Sequence, residues 1–453
     1  MLGNLSTKVP HVPRWTAFID AQDMVRNPVE VLEKYRQDLG PTFTFHFGGA
    51  RRAIVSTDPE FIQHVLKGNR GNYKKSDIQT DRMVEFQGTG LVNIHGKPWL
   101  RRRKLMARGF NAQRLSEMLP VQQMVLDEQM RRFDVEAEHG LIDIHDQMVR
   151  IILTLVGTSI FGRSMCEENL QQIANTTSDI QGFVVRQIVR PYLIPWFRIS
   201  GQSKKYQKLR CAADRLVLNH IAARRAAGTG ELDLLHILLN EPYHDTGVPM
   251  SEAQALTEAV QMMVAGNETS SNALTWVFYL LAQHPEHIAL IRTEIEKGIG
   301  DSPMNHDNLA ALEHTIRVIQ EALRLYPPFW MFDRMAIRAD EIKNASITAG
   351  TMVIPYIYGL HRNPSIWDEP ERFDPSRFER DQIKTRHPYS YIPFGGGPRI
   401  CIGNNMAMLQ ILLIVTTFVR RYDFAPASGE PVCIKPMMLL RPDGPVHLRF
   451  VRR

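Results

Sequence analysis

The chain has 453 residues, 44% of them hydrophobic and 23% charged, with 29 glycines and 27 prolines; these values exclude a disordered, collagenous or fibrous protein. Its 54 basic and 48 acidic residues give a formal charge of +6, compatible with a basic patch for an acidic partner or with a solvated surface. The four cysteines are far apart and form no C-x-x-C pair, which argues against a disulfide scaffold or zinc knuckle and fits a reducing, cytoplasmic setting.

In chain order, Thr42 to Phe47 alternates as a strand, Gly48-Gly49 predicts a turn, and the apolar run Ala53 to Val55 predicts the returning strand. From about Asp58 to Leu312 apolar residues recur at three- and four-residue spacing, with Gly228, Gly230, Pro242 and Pro249 as breakers. A helical middle follows. Within it, Lys97, Arg101, Arg102, Arg103, Lys104 and Arg108 form a basic segment without an acid.

A long helix is predicted from Ser251, an N-cap with Glu252 behind it, to Gln283, where His284-Pro285 stops it. It contains Ala265-Gly266-Asn267-Glu268-Thr269. A mid-helix glycine costs about 1 kcal/mol relative to alanine, so Gly266 serves either a close helix crossing or a functional opening. After Pro327-Pro328 come short extended pieces such as Met352 to Ile357, then a last helix from about Asn404 to Arg421 and a hairpin-like end. No long apolar run approaches the roughly 20 residues that span a bilayer, and no repeat of 20 to 50 residues is visible.

The most chemically loaded segment is Pro393-Phe394-Gly395-Gly396-Gly397-Pro398-Arg399-Ile400-Cys401-Ile402-Gly403. Consecutive glycines allow backbone conformations closed to other residues, and a cysteine just before a helix gains from its positive end, as from nearby Arg399. Three readings compete: a phosphate-cradling loop, a cysteine nucleophile with a histidine partner, and a thiolate ligand to a metal cofactor. The phosphate loop lacks its terminal Gly-Lys-Ser/Thr.

Phe394-x-x-Gly397-x-Arg399-x-Cys401-x-Gly403 resembles the haem-binding loop of the cytochromes P-450 at every fixed position. Glu321-Ala322-Leu323-Arg324 and Pro370-Glu371-Arg372-Phe373 resemble the family's E-x-x-R and P-E-R-F segments, and Ala265 to Thr269 its oxygen-activation segment. The resemblance implies a mainly α fold with a small β-rich lobe. It would form one domain over residues 1–453, with β-rich parts near 40–60 and 330–360, helical parts near 75–325 and 404–421, and haem between the long helix and the Cys401 loop.

By resemblance, Cys401 is the axial ligand of a haem b iron, while Phe394, Gly397 and Gly403 shape its loop. Trp99, Arg103, Arg334 and Arg399 are expected at the haem propionates. Glu321, Arg324 and Arg372 are expected as a buried charge network bracing that loop, and Ala265, Gly266, Glu268 and Thr269 as the oxygen and proton machinery. The implied activity is a monooxygenase reaction, hydroxylation or O-demethylation, with a haem-based sensor or carrier as the alternative. Electrons would come from a ferredoxin or flavodoxin with its reductase, docked on Arg101, Arg102, Lys104 and Arg108; no nucleic acid, no membrane anchor and a monomer are expected. Substrate candidates are Met263, Phe329, Trp330, Met331, Met437 and Met438, an apolar set; Trp330 keeps open stacking on a sugar ring.

Overall fold

The computed structural model describes residues 9–47, 51–138, 140–227, 233–343 and 345–453. The expected Gly48-Gly49 turn and the breakers Gly228 and Gly230 lie outside the described residues. The chain divides into two compact units, residues 1–77, 320–401 and 434–441 in one and 78–319, 402–433 and 442–453 in the other.

The first unit is built on a five-stranded sheet. Strands β1 (Thr42–Phe47) and β2 (Arg51–Ser56) pair antiparallel, with Phe43 opposite Val55. Strand β3 (Tyr73–Lys74) pairs antiparallel with β4 (Arg334–Ala336), and β4 with β5 (Met352–Pro355), whose other edge runs parallel to β2. The spatial order is therefore β1-β2-β5-β4-β3. Strand β5 is buried at every position, as a central strand covered on both faces must be. Ile54, Val353, Ile357, Phe61, Ile62 and Val65 form part of its core.

The second unit is helical. We label α1 Gly96–Met106, α2 Ile144–Phe161 and α3 Glu252–Gln283. Helix α4 (Glu313–Leu325) crosses from this unit into the first, and α5 (Asn404–Arg421) follows the Cys401 loop. Helix α3 starts where expected because the Ser251 hydroxyl accepts the Gln254 amide, 3.3 Å away. That bond satisfies one of the donors a helix start leaves open. From Ser270 to Ala282 it is buried on all sides, the signature of a helix through the middle of a unit. A three-stranded antiparallel sheet, Leu141–Asp143, His447–Arg452 and Tyr422–Pro426, closes it, with His447–Arg452 central. Among the described residues no helix is long and apolar enough to cross a membrane.

Candidate functional site

The cysteine loop lies in the first unit and is held by its backbone. The Cys401 amide donates to the Phe394 carbonyl at 3.0 Å, the Gly395 amide to Ile392 at 2.9 Å and the Ile400 amide to Gly397 at 3.1 Å. Gly397 is fixed twice over. Its φ is +67°, and a Cβ there would sit 2.2 Å from the Leu66 carbonyl oxygen, so neither backbone nor space admits another residue. Residues 397–399 form one 3-10 turn that carries Arg399, and the Cys401 thiol at its end is exposed. Helix α5 starts at Asn404, and Gly403 at its N-cap offers no side-chain cap.

Behind the loop is a buried polar brace. Arg324 is fully buried and donates to both carboxylate oxygens of Glu321, at 2.7 and 2.8 Å, and to the carbonyls of His361, Pro370 and Arg372 at 2.8, 2.7 and 3.2 Å. The Ile392 amide donates to His361 Nε2 at 3.0 Å, and burial holds that imidazole well below its ordinary pKa. A neutral ring accepting at Nε2 carries its proton on Nδ1. The brace thus reaches Ile392, whose carbonyl accepts the Gly395 amide at the start of the cysteine loop.

Arg372 is not part of the brace through its side chain. Its guanidinium is 64% exposed and pairs with Glu369 at 2.8 Å, and only its carbonyl meets Arg324. The third charged side chain is Arg377, 11% exposed, with Nε 3.4 Å from Glu321. The P-x-R-F pattern occurs twice in succession, at Pro370–Phe373 and Pro375–Phe378, and packing selects the second. Arg372→Ala is accordingly expected to change stability by less than about 0.5 kcal/mol and Arg377→Ala to cost about 1–3 kcal/mol, read from denaturant midpoints.

Sequence reasoning also missed Lys75. It follows β3, and continuing the antiparallel register places it opposite Arg334, the first residue of β4. Burial, then the charges of Arg334 and Arg399, push its ammonium down to about 7, with Asp333 opposing. Burial also lowers the Arg334 guanidinium, whose Nη1 donates to the Asp333 carbonyl at 2.7 Å. Lys75 thus feels two further cations, Arg334 and Arg399, a grouping suited to a ligand with carboxylates.

In the second unit, Ala265 is exposed and Met262, Glu268 and Thr269 are half-buried on α3, just before its fully buried stretch. The Thr269 hydroxyl donates to the Ala265 carbonyl at 2.6 Å. Gly266 faces α2: a Cβ there would lie 3.1 Å from a Val156 methyl. Of the two readings of this glycine, the close helix crossing has a contact behind it. On α1, Trp99 and Arg103 are half-buried and four residues apart, on one face of the helix.

The basic segment differs from expectation. Arg102 is buried and bonded to Glu258 at 2.9 Å, so it cannot meet a docking partner. Arg101 lies over the Tyr243 ring at 3.8 Å and Arg108 pairs with Glu241 at 2.9 Å, while Lys97 and Lys104 are exposed.

Of the substrate candidates, Met263 is fully buried in α3. Trp330 is 1% exposed and donates from Nε1 to the Met437 carbonyl at 2.9 Å. Its ring is core, so no face remains to stack on a sugar. That bond and the Leu440 amide donating to the Pro328 carbonyl at 2.9 Å bring Phe329 and Met331 beside Met437 and Met438. Phe329 and Met437 are 45% and 39% exposed.

The sequence profile of the Cytochrome P450 family matches residues 10–450. This chain belongs to that family. The solved structure of the cytochrome P450DA heme domain superposes with a TM-score of 0.85 over 99% of this chain and 97% of that one, at 21% identity, which establishes the P450 fold. Cyclooctat-9-en-7-ol 5-monooxygenase of Streptomyces melanosporofaciens is 27% identical over 84% of this chain and 82% of its own. Protein LUTEIN DEFICIENT 5 of Arabidopsis thaliana is 29% identical over 93% and 73%.

The P450 is therefore a haem enzyme that incorporates oxygen from dioxygen. Its residues fit the cofactor: an exposed cysteine ends a turn with no room for a larger residue at Gly397, and Lys75, whose ammonium feels both Arg334 and Arg399, belongs to a cationic set that would suit a ligand carrying carboxylates. As a P450 it takes its electrons from a redox partner.

Proposed function

We propose that this P450 hydroxylates an apolar, ring-containing substrate of terpenoid type, using two electrons from a separate ferredoxin or flavodoxin. The observation that carries the reading is the exposed Cys401 thiol at the end of a rigid glycine turn, with the Lys75–Arg334–Arg399 cations in the same unit. Kinship to a monooxygenase named for cyclooctat-9-en-7-ol, and the partly exposed Phe329 and Met437, support an apolar ring system. With the Trp330 face closed, nothing favours a methylated sugar.

Cys401 would hold the iron as a thiolate. Lys75, Arg334, Arg399, Trp99 and Arg103 would donate to the propionates, a guanidinium or indole N–H each meeting a carboxylate. A thiolate-bound haem supplies O–O bond cleavage, so that one dioxygen atom enters the C–H bond and the other leaves as water with two electrons and two protons. Thr269 spends its proton on Ala265 and keeps lone pairs to order a water, and the neighbouring Glu268 carboxylate would relay protons from solvent by taking one up and passing it on. Ala265 leaves room beside them. On α1, Lys97, Lys104 and Arg108 would steer an acidic donor, an attraction screened by salt over about 10 Å at 0.1 M.

Thr269→Ala is the test of the proton path: electron consumption should continue while the fraction appearing as product falls at least about fivefold, the rest forming peroxide. Unchanged coupling would contradict it.

Lys75 carries a second test. In the haem-free chain the unfolded state keeps a proton on this amine up to its ordinary 10.5, whereas the folded state loses it above about 7. The unfolded state binds more protons between these values, so haem-free stability should rise with pH across that window. Lys75→Met should flatten that rise and speed haem transfer to apomyoglobin about tenfold. An unchanged pH slope and transfer rate would refute the assignment.

A further inference from the structure

The buried Arg102 belongs to a clamp. Its Nη1 donates to the Thr89 carbonyl at 2.7 Å and to Glu258 Oε1 at 2.9 Å. Glu258, 1% exposed on α3, uses its other oxygen to accept the Leu91 amide at 2.8 Å. Farther along α3, Gln261 Nε2 donates to the carbonyls of Gln87 and Gly88 at 3.2 and 3.1 Å. Three side chains thus pin one loop.

The loop has no slack of its own. The Gly90 amide donates to Asn93 Oδ1 at 2.9 Å, and Asn93 Nδ2 to the Gly88 carbonyl at 2.7 Å. Gly88 has a φ of +75°, and a Cβ on Gly90 would lie 2.3 Å from Gln261 Oε1. Glu258, Gln261, Ala265 and Thr269 follow one another at spacings of three and four, and so share one stripe of α3. From Glu258 to Ala265 is about 10 Å along the axis. The pinned segment meets this stripe at Glu258 and Gln261, and Ala265 lies one turn farther along it.

We infer that Glu258, by bridging the Arg102 guanidinium and the Leu91 amide, is a positioning residue that fixes residues 87–93 as a rigid wall and limits the bulk of ligand admitted beside Ala265 and Thr269. The location of the chemistry rests on the proposed function; the clamp does not. A carboxylate is required because both of its oxygens accept. Glutamine offers one acceptor and one donor, so it can serve the guanidinium or the amide but not both. The lost partner leaves a buried donor unsatisfied, and the loop must move to reach water.

The test uses the haem-loaded full chain and its Glu258→Gln form. Amide exchange over residues 87–93 should accelerate at least about tenfold, confined to that segment. The affinities of two iron-binding azoles, imidazole and the much bulkier clotrimazole, should change unequally, their ratio shifting at least about fivefold, because only the larger one meets the wall. A general loosening would move both alike. Gln261→Ala, which keeps the ion pair, should act in the same direction with smaller effect and carries the test if Glu258→Gln does not fold. Unchanged exchange at 87–93, or an equal shift for both azoles, would overturn the inference. Accelerated exchange with no azole response in either protein would uphold the clamp and count against the proposed function instead.

Discussion

Replacing Cys401 by alanine is expected to abolish oxygen insertion, with turnover falling at least about a thousandfold, equivalent to roughly 4 kcal/mol on the barrier. The chain should still fold, because Cys401 is an exposed residue and alanine keeps the backbone amide that donates to the Phe394 carbonyl. Circular dichroism and a thermal melt within a few degrees of the parent, together with lost turnover and weakened haem retention, are the predicted combination. Turnover surviving in a Cys401→Ala protein would remove the thiolate from the account. Loss of the fold would mean that the side chain has a structural role its exposure does not suggest.

Arg324→Ala should produce the largest loss of stability in the first unit, about 3–5 kcal/mol. The guanidinium is fully buried, neutralises a fully buried Glu321 and satisfies three carbonyls at 2.7 to 3.2 Å. Its removal leaves the carboxylate with the Asp374 amide at 3.0 Å and the Arg377 guanidinium at 3.4 Å, which cannot replace a bidentate partner. Against a typical total of about 5–15 kcal/mol, such a loss is expected to prevent accumulation of haem-loaded protein. Denaturant unfolding of the haem-free forms measures it directly. A shift below about 1 kcal/mol would show that the brace is dispensable and that the cysteine turn is held by its own glycines.

The features legible in the sequence were those fixed locally. The cap at Ser251, the stop at His284-Pro285 and the glycines before Cys401 each act within a few residues, and the helix and the turn lie where these signals put them. What escaped depends on distant packing. The two P-x-R-F runs are equivalent as text, and only the approach of Arg377 to Glu321 separates them. Arg102 reads as one more surface cation in a basic run, because its partner Glu258 is far away in sequence. Trp330 reads as a ligand platform until its indole is found bonded to the Met437 carbonyl. Lys75 carries no motif, and its significance comes from the β3–β4 pairing that places it opposite Arg334.

Gly266 shows how a family pattern and a packing reason can coincide in one residue. The contact a Cβ would make with Val156 is with α2, so helix crossing gives the glycine a packing reason, while Ala265 and Thr269 are the more accessible residues of the same turn. The chemistry proposed for the segment therefore depends on Thr269 and Glu268 rather than on a flexible helix.

The most direct measurement of the central claim, an iron held by the Cys401 thiolate, is the absorption spectrum of the purified haem protein after reduction and addition of carbon monoxide. The account predicts the strongly red-shifted Soret band given by a thiolate ligand opposite carbon monoxide, present in the parent and absent in Cys401→Ala. A parent spectrum of the kind given by a histidine-ligated haem, or the same red-shifted band in both proteins, would contradict it.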